Sequence, residues 1–227
     1  MQPTLNFMTV CVDSYPVEYA NRTFGMLQRN LQIPFSAYCI TDRPAQLRSE
    51  ISPLTSPIPN VKGWWNKPLL FSKQMPEGYI LYLDLDLIII DDITNIVQYA
   101  IENLREIACY CDAIHWKGSK FSSSMMLFKS GSLSHIYDEF VQAYPDIIDF
   151  PGGDQVWTFP MLKNILYLDE HFPGFKRSLK FELSSRHGNQ ISVPEQLPEE
   201  LKIIDFHGRP KPHELMHWNV VRDNWVS

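Results

Sequence analysis

The segment from Tyr79 to Ile90, YILYLDLDLIII, sets two carboxylates, Asp84 and Asp86, into the most apolar stretch of the chain. An ionised carboxylate taken out of water without a partner costs several kcal/mol, so such groups are paired or coordinated. Residues i and i+2 of a strand lie on one side. At a strand end the two aspartates can therefore converge on one ion, and hard oxygen donors of this kind suit Mg²⁺ or Mn²⁺. In open α/β sheets, ligands bind at the carboxyl ends of strands. The pair is thus placed for a metal-bound phosphate. The bland alternative is that both aspartates cap turns or pair with Lys or Arg.

A second concentration of chemistry lies near the end, in IIDFHGRPKPHELMHW. His207 follows an apolar strand and is a candidate third metal ligand beside two carboxylates. Gly208 allows close approach of an anion, and Lys211 supplies a point charge for a phosphate. The run His213-Glu214-Leu215-Met216-His217 also matches HExxH, in which two histidines one helical turn apart hold zinc and the glutamate is the base. Pro210 and Pro212 crowd that helix start, and Asp223 is the sole plausible third ligand after it.

Elements must position these groups. Leu5–Val12 and Phe35–Thr41 read as strands, and Val17–Leu31 as a helix whose Ala20, Phe24, Leu27 and Leu31 form one stripe. Residues 43–62, with four prolines, read as loop. Trp65–Lys73 reads as a short helix, and Tyr79–Leu87 as one central strand buried on both faces. Helices follow at Asp92–Leu104, Ser132–Tyr144, Gln155–Leu162 and His217–Val226. Strands follow at Ile107–Cys111, Ser123–Phe128, Ile165–Leu168 and Lys202–Phe206. This alternation implies a mostly parallel α/β sheet in one domain, residues 1–227.

Composition narrows the function classes. With 227 residues, 44% hydrophobic and 20% charged, the chain is neither disordered nor fibrous. The net charge of −6, with no long Lys/Arg run, argues against a nucleic-acid partner. No apolar run is long enough for a transmembrane segment. Cys11, Cys39, Cys109 and Cys111 lie in apolar stretches and read as reduced, packed thiols of a cytoplasmic protein.

The constellation resembles the GT-A nucleotide-sugar glycosyltransferases, in particular the glycogenin and bacterial lipopolysaccharide galactosyltransferase family. The matches run in family order. Thr9-Val10-Cys11-Val12-Asp13, then Tyr15, resembles the nucleobase-binding segment, with Asp13 on the uracil. Trp64-Trp65-Asn66-Lys67 resembles the segment whose basic residue contacts the donor. Tyr82-Leu83-Asp84-Leu85-Asp86 resembles the DxD motif, and Phe121 to Phe128 the strand lining the donor sugar. Gly153-Asp154-Gln155 resembles the Asp-Gln pair near the reacting carbon. His207-Gly208-Arg209-Pro210-Lys211-Pro212 resembles the His…Gly…Lys-Pro clamp. Ser122, Ser123 and Ser124 replace Asn-Ala-Gly, and His213 stands where relatives carry Trp.

The resemblance implies a GT-A (Rossmann-like) α/β fold and transfer, with retention, of a sugar from a UDP-sugar to a hydroxyl of a glycan, lipid-linked or protein acceptor. It implies Mn²⁺ or Mg²⁺ held by Asp84, Asp86 and His207. Val12, Asp13, Tyr15, Lys67, Asp84, Leu85, Ser123, Gly208 and Lys211 would bind the nucleotide sugar. Asp154 and Gln155 would be the catalytic pair, Asp154 on the sugar hydroxyls and Gln155 in a positioning role. Trp64 and Trp65 would stack on sugar or base, or pack. Loops 43–62 and 112–122 are candidate covers, with Asp112 and His115 as possible acceptor contacts. Rival readings are a non-catalytic nucleotide-sugar-binding module, a haloacid-dehalogenase-like phosphotransferase using an aspartate nucleophile, and the zinc protease.

Overall fold

The computed structural model describes residues 4–13, 15–56, 58–111, 118–187 and 190–227. Asp112 and His115 lie outside the described residues. In chain order come β1 (Leu5–Cys11), α1 (Glu18–Asn30), β2 (Phe35–Thr41), β3 (Ile51–Leu54), β4 (Tyr79–Leu83), β5 (Leu87–Ile89), α2 (Thr94–Glu102), β6 (Ile107–Cys111), β7 (Phe121–Lys129), α3 (Ser134–Ala143), α4 (Gly153–Thr158), β8 (Ile165–Tyr167), β9 (Lys176–Ser178), β10 (Ser185–His187), β11 (Gln190–Ser192), β12 (Ile203–Asp205) and α5 (Asn219–Asn224). A 3-10 segment, Gly63–Phe71, and a π-helical turn, Leu179–Leu183, also shape the site.

Seven strands form the main sheet in the order β3-β2-β1-β4-β7-β6-β8. β1, β2, β3 and β4 are mutually parallel, as are β6 and β8, while β7 runs antiparallel to both its neighbours. The expected α/β architecture with a mostly parallel sheet is therefore present. Alternation along β4 divides the core between two faces. Leu81 and Leu83 join the cluster of Phe7, Phe24, Met125 and Leu127, whereas Ile80 and Tyr82 join that of Trp65, Met126, Phe128 and Phe140.

Three features depart from the sequence reading. The expected single strand Tyr79–Leu87 is two strands. The ladder between β4 and β7 ends at Leu83 opposite Met125, and the Leu87 N–H closes a turn onto the Asp84 carbonyl at 3.4 Å. Beyond that turn β5 leaves the main sheet and pairs with β12, which also pairs with β9. The strand breaks where β4 runs out of ladder partner on β7 and β5 finds one in β12. Within the proline-rich 43–62 stretch, β3 forms at the sheet edge, where Pro53 removes no needed ladder donor. Finally, β9 and the β10–β11 hairpin have no periodic signal and were not expected. Among the described residues, no helix is long and apolar enough to cross a membrane.

Candidate active site

The turn between β4 and β5 carries Asp84 and Asp86, and lysines reach each from a different element. Lys67, buried within the 3-10 segment, donates to Asp84 Oδ2 at 2.9 Å and to Ser123 Oγ at 3.1 Å. Its ammonium also lies 3.8 Å from Asp154 Oδ2. The Tyr82 hydroxyl donates to Asp84 Oδ1. Burial opposes the charge on Lys67, but Asp154 and then Asp84 outweigh it, and the lysine is held firmly cationic. Asp86 accepts from Lys211 and from the Tyr15 hydroxyl, the latter at 3.3 Å. Burial, then the Asp84 charge, pushes the Asp86 carboxyl up, and Lys211 only partly offsets this. Leu85, between the two aspartates, is buried in the core.

Asp154 and Gln155 stand on the first turn of α4, directly behind Lys67. The Ser123 N–H on β7 donates to Gln155 Oε1 at 3.2 Å. Burial raises the Asp154 carboxyl, against the pull of Lys67. Gly152 and Gly153 precede them with φ of 96° and 67°, a left-handed conformation that glycine adopts without strain. On the opposite flank, Asp13 is exposed with φ of 58°, and its Oδ2 accepts from the Gly63 N–H at 2.7 Å. Val12 and Tyr15 beside it are half-buried. Arg43 donates to the Tyr15 carbonyl at 2.7 Å and holds this segment.

The structure thus brings Asp84, Asp86, Tyr15, Lys67, Ser123, Asp154, Gln155 and Lys211 together. His207 it places at the rim, exposed, with its ring 6.0 Å from that of Phe181. Gly208, next to it, is exposed with φ of 76°, and the Lys180 ammonium from the π-helical turn lies 3.7 Å from where a Cβ would sit.

Sequence reasoning missed Asp205 and Lys176. Asp205 ends β12, and the N–H of the next residue, Phe206, donates to the Asp86 carbonyl at 3.0 Å. Lys176, 2% exposed, donates to Asp205 Oδ2 at 2.6 Å, and Ser124 Oγ does so at 3.4 Å. Burial opposes ionisation of Asp205, but Lys176 outweighs it and the carboxyl sits below the usual carboxylate range. The sequence signal for Asp205 is an aspartate interrupting the apolar run IIDF, as Asp84 interrupts YILYLD. Because the native carboxyl is the stronger acid, its stabilising contribution is full above the unfolded value near 3.9 and is lost as pH falls through the native one. Asp205→Asn should therefore show a shallower loss of melting temperature than wild type between about pH 4 and pH 2. Parallel acid profiles would refute the assignment.

The donor chemistry fits a hard divalent cation in one respect. Asp84 and Asp86 offer carboxylate oxygens, and the uncompensated charge felt at Asp86 is what such a cation would neutralise. Among the described residues, however, no group of three His, Cys, Asp or Glu side chains is arranged as a ligand set. A cation here would draw on two carboxylates and take its remaining ligands from phosphate and water, the usual habit of Mg²⁺.

The HExxH residues are engaged otherwise. Pro212–Leu215 is a 3-10 turn, so His213 and His217 do not share the face of an α-helix. His213 Nδ1 is hydrogen-bonded to the Tyr19 hydroxyl. Glu214 accepts from the Lys211 N–H at 2.7 Å and from Arg209. This cap fixes the approach of Lys211 to Asp86.

No protein-family model matches the chain, and no curated protein sequence matches it. Its fold does match solved structures. An active-site glutamine-to-glutamate mutant of LgtC aligns with a TM-score of 0.62 at 13% identity, over 96% of this chain and 93% of that one. Galactosyltransferase LgtC in complex with donor and acceptor sugar analogs gives 0.61 at 12%, with the same coverage. The glycosyltransferase GlyE of Streptococcus pneumoniae TIGR4 gives 0.65 at 14%, over 98% of this chain and 61% of that one. The mixed α/β architecture, with its seven-stranded sheet, is the glycosyltransferase fold of these neighbours.

Proposed function

We propose that residues 1–227 act as a single GT-A domain that transfers a sugar from a nucleotide diphosphate sugar, a UDP-sugar, to a hydroxyl acceptor with retention. The observation that carries this reading is the convergence, at one strand end of this fold, of Asp84, Asp86, Lys67, Lys211, Asp154 and Gln155. LgtC, with the same fold, has a glutamine in its active site and binds donor and acceptor sugar analogs. In the reaction the bond between the anomeric carbon and the diphosphate oxygen breaks, the acceptor oxygen bonds to that carbon, and the acceptor proton is released. Charge builds on the departing diphosphate, where Lys67 and Lys211 would supply positive charge and Asp84 and Asp86 would hold a cation.

Asp84 and Asp86 would hold Mn²⁺ or Mg²⁺, which supplies electrostatic stabilisation of the leaving diphosphate when bound. Lys211, which here donates to Asp86, would donate to the phosphate. Tyr15 remains a protonated donor, because burial and then Asp86 and Asp84 disfavour its ionisation. Lys67 links the donor side to Asp154, so the carboxylate that would bind sugar hydroxyls is oriented by the same ammonium that contacts Asp84. Gln155, with its carbonyl oxygen facing the Ser123 N–H, is oriented for positioning rather than nucleophilic attack.

The test is a thermal melt with UDP, GDP, UDP-glucose and UDP-galactose, each with Mn²⁺, Mg²⁺ or EDTA. A ligand that binds the native state alone raises the melting temperature, by about 2.7 kcal/mol of stability at a hundred times Kd. The expected result is a rise of several degrees with UDP or a UDP-sugar that EDTA removes. No shift with any nucleotide and either metal would end the transferase reading.

A further inference from the structure

The two consecutive tryptophans have opposite fates. Trp65 is 2% exposed, donates from Nε1 to the Ile148 carbonyl at 3.1 Å, and stacks on Phe140 with centroids 6.3 Å apart. Its role is completed by packing. Trp64 is 59% exposed, the largest exposed apolar side chain among the described residues. Folding therefore makes little use of it, and an indole left in water is more typical of a contact surface than of a core.

Its seat is specific. A Cβ on Gly153 would lie 2.8 Å from Trp64 Nε1 and 3.3 Å from Cδ1 and Cε2. The absent side chain at 153 is what lets the five-membered ring of the indole rest on the backbone immediately before Asp154 and Gln155. The residue as a whole stays largely open to solvent, three positions before Lys67 in the same 3-10 segment. Groups on the nucleotide side are of a different kind: Tyr15, Lys67, Asp84, Asp86 and Lys211 are at least half-buried and charged or hydrogen-bonded. A flat apolar face at the edge of a site otherwise built of charged and hydrogen-bonding groups matches a pyranose, whose C–H face seeks an aromatic surface.

We infer that Trp64 is the platform on which the acceptor is seated, and that the acceptor presents a pyranose ring rather than a peptide hydroxyl. This rests on the transferase reading for the reaction, but not for the binding itself. Trp64 determines acceptor specificity, and Gly153, having no Cβ, makes room for the indole.

Trp64→Ala and Trp64→Phe separate the possibilities, the exposed position keeping the fold intact. Lactose, methyl galactoside and methyl glucoside are titrated into each protein by isothermal titration calorimetry, with a serine- and tyrosine-containing peptide as control. Wild type should respond to at least one saccharide, with a change that disappears in Trp64→Ala and partly survives in Trp64→Phe. With a UDP-sugar donor, KM for that saccharide should rise about five- to tenfold in Trp64→Ala. The UDP-induced melting shift should persist. A saccharide response unchanged in Trp64→Ala, a response to the peptide alone, or no response in wild type overturns the inference. Loss of the UDP shift in Trp64→Ala overturns it too, by placing the indole on the donor. If wild type shows no nucleotide shift, the transferase reading fails while the saccharide titration still decides the platform.

Discussion

Asp86→Asn is expected to abolish the metal-dependent nucleotide shift and to lower kcat/KM by on the order of 10³-fold, the scale of losing one group that stabilises transition-state charge. Its effect on the folded chain should be the reverse. Burial and the Asp84 charge raise the Asp86 carboxyl above its ordinary value. A carboxyl that binds its proton more tightly when folded makes stability fall as pH rises from the unfolded value, near 3.9, through the native one. The asparagine variant escapes that loss. The difference in melting temperature, variant minus wild type, should therefore increase from pH 4 to pH 8 in EDTA. Persistence of the nucleotide shift in the variant would remove Asp86 from the donor site. A difference that shrinks with pH would show that Lys211 overcompensates the carboxylate. This opposition of stability and function is the mark of a charge held for a ligand rather than for the fold.

Lys67→Met should give the largest loss of stability of any single change at the site. Lys67 is 9% exposed, and its ammonium lies among Asp84, Asp154 and Ser123. Removing one partner of a buried ion pair leaves uncompensated charge and costs about 3–5 kcal/mol. At about 2–4 °C per kcal/mol for a chain of this size, the melting temperature should fall by about 10 °C. Because the surroundings hold Lys67 protonated beyond its usual range, its contribution is complete at neutral pH and is lost only at strongly alkaline pH. Adding Asp154→Asn should recover part of the stability, since one orphaned carboxylate is removed, but none of the activity. Lys67→Arg should not restore activity, because the planar guanidinium cannot occupy the compact place between two carboxylates and a serine. A fall of under about 2 °C in the methionine variant would mean that the site rearranges and that Lys67 is not its hub.

Much of the fold was legible in short-range pattern. The stripe Ala20, Phe24, Leu27 and Leu31 is buried as its spacing requires. β2 and β6 match the residues read from the sequence, and the buried β7 extends the expected strand to Phe121–Lys129. Of the buried serines of β7, Ser122 pairs with its neighbour Ser124, and the rest of the set is satisfied by Lys67 on the Ser123 hydroxyl, Gln155 on the Ser123 N–H and Asp205 on the Ser124 hydroxyl. Lys67, Gln155 and Asp205 lie 56, 32 and 81 residues away, so no local rule could have named them. β9 was likewise invisible, since its three residues lack any period and are ordered by pairing with β12.

By itself the sequence determined that carboxylates interrupt apolar strands, that strands and helices alternate, and that Asp154 and Gln155 follow a glycine pair. These are properties of neighbours in the chain, where apolar burial and backbone preference act over a few residues. Only the tertiary structure decided that the strand breaks at Asp84, that Asp205 joins Asp86 at the site, and that Trp64 and Trp65 part company. Each of those outcomes depends on which distant element supplies the opposing charge, the missing Cβ or the ladder partner. Such interactions are set by the packing of the sheet and not by the order of the residues.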